Sequence, residues 1–187
     1  MLNPAAESTK QEKALKRVLT ISRLDGWSVI VFAVLGILLT LVIGDISGLG
    51  VGLLIGVAGW MEVRGHNLLK QRKPDGMRWL VRSQMFLLAV ILVYCSSRLG
   101  SFDEETVMSS LTPEMETILS EAGIGKNDIL PLVRTAFFAV YGGVAIATLL
   151  YQGGMAMYYK SKTTPVTEVL TAPPVVFPHP SNSPPPV

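Results

Sequence analysis

The sequence predicts an all-α, polytopic integral membrane protein with four transmembrane helices. Four long apolar runs divide the chain, and the charges between them alternate in sign. A tryptophan stands at one end of each of the first three runs. Composition agrees: 49% of the 187 residues are apolar and 16% are charged, against about 25% charged in an average soluble domain. The mean hydropathy is +0.43. The net charge of +2 conceals strong segregation. Basic residues crowd before run one and between runs two and three, and acidic residues between runs three and four. A nucleic-acid partner would call for one sustained basic face, so none is expected.

Residues 1–26 form a cytoplasmic amphipathic segment. Thr9 with Glu12 three residues on fits a capping box. Ala14, Leu15, Val18 and Leu19 make an apolar stripe, while Lys10, Lys13, Lys16 and Arg17 face away. This is the pattern of a helix lying on anionic lipid; a lead-in helix packed on the protein's own loops is the alternative. Asp25-Gly26 reads as a helix breaker. No secretory signal peptide is recognisable, so the first run is expected to stay as an anchor.

Residues 27–61 read as a transmembrane hairpin, with span one at Trp27–Ile43 and span two at about Leu49–Met61. Span one at about 1.5 Å per residue reaches roughly 25 Å, close to a hydrocarbon core of about 30 Å. Full crossing is favoured over a re-entrant hairpin, which would hold Asp45 deep in the bilayer. A polar cap on the hairpin turn is the role expected of Asp45. Residues 62–78 form a basic loop with Arg64, Lys70, Arg72, Lys73 and Arg78, and Lys73-Pro74-Asp75-Gly76 is a turn signal.

Span three covers 79–96. The acidic link at 97–130 holds seven acids (Asp103, Glu104, Glu105, Glu114, Glu116, Glu121, Asp128) against Arg98 and Lys126. Two short helices are expected there. Ser101 with Glu104 starts one; Thr112-Pro113 starts the other, and Gly123 ends it. Span four covers 131–159. From 160 onward a Pro-rich cytoplasmic tail is expected to be disordered, because eight of the twelve prolines lie beyond Thr163.

Short loops rich in Lys and Arg stay cytoplasmic, which places both termini inside and the acidic link outside. Indole rings settle at the membrane interface. Trp27, Trp60 and Trp79 all fall on the same expected face, and Tyr158 and Tyr159 join them as interface anchors. The expected location is a bacterial cytoplasmic (inner) membrane.

Two small-residue rows are candidate helix-packing or oligomer interfaces. Span two carries Gly48, Gly52, Gly56 and Gly59; span four carries Ala139, Gly143 and Ala147. Small residues let transmembrane backbones approach closely. Either another protomer or packing of span two on span four accounts for them.

Candidates for chemistry are few. Glu62 and His66 share a helix face at i, i+4, but catalytic zinc takes about three protein ligands and no further ligand stands nearby. An interfacial charge cluster with Arg64 is the expected role. Cys95 is the only cysteine, which excludes a disulfide framework or four-thiolate site within one chain; it reads as a packing residue. The middle of every span lacks Asp, Glu, Lys, Arg and His, which disfavours ion-coupled transport. No catalytic, cofactor-binding or metal residue is assigned, and no enzyme activity is expected.

The expected partners are the lipid bilayer and either another protein or further copies of the chain. The function expected is a non-enzymatic accessory, assembly or scaffold protein of a larger membrane complex. A small oligomeric transporter or channel component using the span-two glycine face is the alternative.

Overall fold

The computed structural model describes residues 4–105, 112–121, 123 and 125–172. The fold is all-helical among these residues. Four helices are long and apolar enough to span a membrane: α1 (Pro4–Ile43), α2 (Ile46–Lys70), α3 (Asp75–Gly100) and α5 (Lys126–Thr171). The short α4 (Pro113–Glu121) lies in the acidic link. Its start is capped as the sequence predicts, with the Met115 amide donating to Thr112 Oγ1 at 3.3 Å. The other link helix begins at Glu104, and its continuation lies outside the described residues.

Each long helix packs on its chain neighbour, and α1 on α5 closes the ring. The partners descend in order. Gln11 meets Glu168, Val18 shares a core with Tyr159 and Val166, and Asp25 meets Tyr151. Chain numbers rise on one helix as they fall on the other, so α1 and α5 are antiparallel.

Two tight turns set the hairpins. Between α1 and α2, Gly44 takes φ +77°, a left-handed conformation that glycine adopts without steric cost. Asp45 then caps α2 by accepting from the Ser47 amide at 3.0 Å. Between α2 and α3, Arg72 takes φ 59°. The Lys73 amide returns to the Leu68 carbonyl and the Arg72 amide to the Leu69 carbonyl, both at 2.9 Å. Paired returns of this kind close a helix through one left-handed residue.

The structure corrects the expected ends of the bundle. Asp25-Gly26 does not break a helix: α1 runs unbroken from Pro4 to Ile43. Gly26 sits where α1 crosses α2, and a Cβ there would come within 3.2 Å of Val63 Cγ2. The stripe expected to lie on lipid faces the protein instead. Val18 is fully buried with Leu69, Met77, Leu80, Tyr159, Val166 and Leu170, and Leu15 and Leu19 pack against them. The residues from 160 to 171, expected to be disordered, continue α5 through Pro165. Val166 and Leu170, one turn apart, dock into that core and stabilise helix past the proline. Burying a large apolar side chain from water contributes about 1.5–3 kcal/mol, comparable to the roughly 3 kcal/mol a mid-helix proline costs. The proline-rich remainder from 173 onward lies outside the described residues.

At the hairpin turn, Arg98 of α3 reaches Asp45 Oδ2 at 2.6 Å and donates to Ser47 Oγ at 2.9 Å. The Ser47 hydroxyl and the Gly48 amide beside it, with Arg98, hold the Asp45 carboxyl below its ordinary range. A carboxyl held low in the folded state stabilises the fold above its unfolded pKa, and that contribution is lost as pH falls through the folded value. Asp45→Asn is therefore expected to lower thermal stability modestly at neutral pH and flatten its decline in acid. Melting curves in detergent across the acid range measure this; parallel wild-type and variant profiles would refute it.

Candidate functional site

The densest chemistry lies where all four long helices meet, level with the tryptophans. Asp25 comes from α1, Glu62 from α2, Gln84 from α3, and Tyr151 and Tyr159 from α5. A single amide nitrogen bridges the two carboxyl groups: Gln84 Nε2 donates to Asp25 Oδ2 at 2.8 Å and to Glu62 Oε2 at 2.9 Å. The tyrosines supply the remaining donors. Tyr151 donates to Asp25 Oδ1 at 3.1 Å and Tyr159 to Glu62 Oε1 at 3.0 Å. Glu62, Gln84 and Tyr159 are at most 1% exposed and Asp25 is 6% exposed, whereas Tyr151 is 55% exposed, so it is the bonds to Glu62 that are closed to water. Every carboxyl oxygen has a donor, and every donor is uncharged. Among the described residues no Lys, Arg or His pairs with Asp25 or Glu62.

Each helix delivers its residue for a local reason. Gly26, next to Asp25, lets α1 approach α2 at the level of Glu62. Gly65 and Gly76 do the same between α2 and α3. A Cβ on Gly76 would fall 2.6 Å from the Gly65 carbonyl oxygen and 2.9 Å from the Leu69 nitrogen. The backbones therefore touch one turn below Glu62, and α3 swings Gln84 into the interior. The Gln84 carbonyl oxygen is buried without a hydrogen-bond partner, as are Gln152 Oε1 and the Tyr158 hydroxyl.

Around this centre the expected residues separate. Glu62 and His66 do not pair. Glu62 points to the bundle centre, while His66 Nδ1 lies 3.1 Å from Ser22 Oγ. Arg64 joins neither; its guanidinium stacks 5.3 Å from the Trp60 ring and 4.8 Å from the Trp79 ring. These two rings meet edge to face at 6.2 Å. Trp27 and Trp60 are exposed. Tyr159, expected to anchor at the interface, is fully buried because its hydroxyl serves Glu62. Tyr158 keeps a cation beside its ring, Lys162 at 6.0 Å. Cys95 is buried at 1% exposure among packing residues.

No family model, curated protein or solved structure matches the chain.

The glycine row of α2 packs on α1, not on span four. A Cβ would meet Thr40 Cγ2 at 2.5 Å from Gly48, Ile37 Cγ1 at 2.7 Å from Gly52, and Ile30 Cγ1 at 2.8 Å from Gly59. Gly56 has more room, with Ala33 Cβ at 3.8 Å. The two-residue turn of Gly44 and Asp45 dictates this partner, because the next helix in sequence is the first to arrive. The row on α5 differs: Ala139, Gly143 and Ala147 are exposed, and a Cβ on Gly143 would meet nothing within 4 Å.

Sequence reasoning missed Asp25, Gln84 and Tyr151. The signal available was position. Asp25 stands two residues before Trp27, and Glu62 two residues after Trp60. Acids at the same depth on antiparallel neighbours were bound to meet if both faced inward. Among the described residues no group of three or more His, Cys, Asp or Glu is placed to hold a metal ion.

Proposed function

We propose that the chain is a non-enzymatic integral membrane accessory, assembly or scaffold protein of a larger membrane complex. The observation that carries this reading is the unequal use of the two small-residue rows. The α2 row is filled by side chains of α1, whereas among the described residues no helix of the chain lies upon the α5 row. Transmembrane helices associate through such rows by close backbone approach. A row left open on a helix whose neighbours Val140, Val144 and Ile146 are also exposed supports a partner helix from another protein. The uncharged donors around Asp25 and Glu62 support the same reading, since they use the buried acids to tie the helices together. The channel alternative draws on the α2 glycines, and Ile30 and Ile37 already lie over two of them.

The proposal sets the protein in a bacterial inner membrane with both termini cytoplasmic. The basic α2–α3 turn and the tryptophans sharing its end of the bundle support that orientation. The test is purification in mild detergent with crosslinking from Ala147→Cys. A specific adduct with a copurifying membrane protein is expected. An adduct joining two copies would assign the row to self-association instead. A strictly monomeric species with no copurifying protein would overturn the proposal.

A further inference from the structure

We infer that a cleft between α1 and α2 is a binding site for the phosphate of an anionic phospholipid. The cleft encloses about 700 Å³. Its polar wall is Arg23 and Thr20 from α1 and His66 and Lys70 from α2. A smaller cavity of about 320 Å³ continues it past Val63 and Asn67, sharing Arg23, His66 and Lys70. Among the described residues no carboxylate lines either cavity. Among the described residues, neither Arg23 nor Lys70 forms an ion pair. Two basic side chains facing one recess, with no acid among the described residues to neutralise them, call for an anion. Arg is suited to phosphate by its forked donors and Lys by its compact charge.

The rest of the cleft identifies the anion as one with an apolar tail. Leu19, Leu24 and Trp27 complete the lining. Leu24 and Trp27 are exposed, and the row continues along α1 through exposed Val31, Val34 and Leu38. These residues recur three or four apart, so they form one helix face. A phosphate held at Arg23 and Lys70 would sit at the level where Trp27 marks the interface, and its acyl chain would follow that face into the hydrocarbon. Basic pockets between transmembrane helices bind anionic headgroups in this manner. A soluble phosphate compound would use the cations but leave the apolar row without a role.

The experiment is native mass spectrometry of the full chain, delipidated in neutral detergent, with phosphatidylglycerol and phosphatidylcholine of identical acyl chains. The wild type is expected to retain phosphatidylglycerol more tightly by about tenfold or more, from roughly 1 kcal/mol for each of two basic residues. Arg23→Gln with Lys70→Gln is expected to abolish that preference. Lys10→Gln with Lys13→Gln removes the same charge from α1 outside the cleft and is expected to preserve it. Equal loss in both double variants, or no preference in the wild type, overturns the site. A parallel titration with inorganic phosphate separates the two sources of the group. Competition by phosphate at micromolar concentration would assign the cleft to a soluble anion and overturn the lipid. Both double variants change exposed residues, and an unchanged melting temperature shows that they still fold.

Discussion

Gly76→Ala is expected to separate α2 from α3 and to cost about 3 kcal/mol or more of stability. The added methyl would fall 2.6 Å from the Gly65 carbonyl oxygen and 2.9 Å from the Leu69 nitrogen. Both are backbone atoms of α2, so no rotamer change relieves the clash. One helix must move away, and overpacking of this kind costs about 1–3 kcal/mol, more where the backbone itself must shift. The consequence reaches beyond the contact, because the Gly65–Gly76 crossing sets how deeply α3 brings Gln84 between Asp25 and Glu62. Cys95 supplies a built-in probe: it is the only cysteine and is buried at 1% exposure, so its labelling by a thiol reagent follows unfolding. Labelling of Gly76→Ala is expected to begin at a markedly lower temperature than in the wild type. Gly153→Ala is the control, because a Cβ there meets nothing within 4 Å and alanine is the better helix former. Equal labelling profiles for the two variants would show that the crossing is not a tight one.

This crossing illustrates how much of the fold was legible in the sequence. The four spans were, because each rests on hydropathy summed over about 20 residues, and such a signal survives local exceptions. The short turns were also legible, through Gly44-Asp45 and Lys73-Pro74. What a helix face touches was not. The α2 glycines announced close packing but named no partner, since glycine has no side chain whose chemistry selects one. Gly65 and Gly76 stand in polar surroundings, and there a glycine reads as a turn. Asp25-Gly26 misled for the same reason: acid-glycine pairs end helices in water, where the carboxylate can cap its own backbone. Here the carboxyl is bonded to Gln84 and Tyr151 instead, and the glycine is the gap through which α2 approaches. Tertiary contacts overrode a local preference worth about 1 kcal/mol. Pro165 was overridden likewise, by Val166 and Leu170 docking on Val18 and Leu69.

The buried acids yield the second large effect, and its pattern tests whether the network acts as a unit. Glu62→Ala is expected to destabilise the protein by about 3–5 kcal/mol, as breaking a buried polar network typically does. The loss has identifiable parts. The Tyr159 hydroxyl and one Gln84 amide hydrogen would be left without acceptors in a site that excludes water, and each buried orphan costs about 1–3 kcal/mol. Glu62→Gln should behave differently. An amide keeps the shape of the carboxyl and one acceptor oxygen but puts donors where the other oxygen stood. Glu62→Gln is expected to cost less, about 1–3 kcal/mol, because its oxygen still accepts from Tyr159 and only the Gln84 amide hydrogen loses its acceptor. Coupling provides the stricter test. Tyr159→Phe removes the hydroxyl that Glu62→Ala would orphan, so the double variant should be less destabilised than the sum of the two singles. The shortfall should reach about 1 kcal/mol or more, against the roughly 0.3–0.5 kcal/mol within which independent sites add. Additive losses, or equal damage from Gln and Ala at position 62, would mean that the acid contributes bulk alone. The expected pattern would instead establish that one hydrogen-bonded network, with a residue from each of the four long helices, holds the α1–α2 hairpin to α3 and α5.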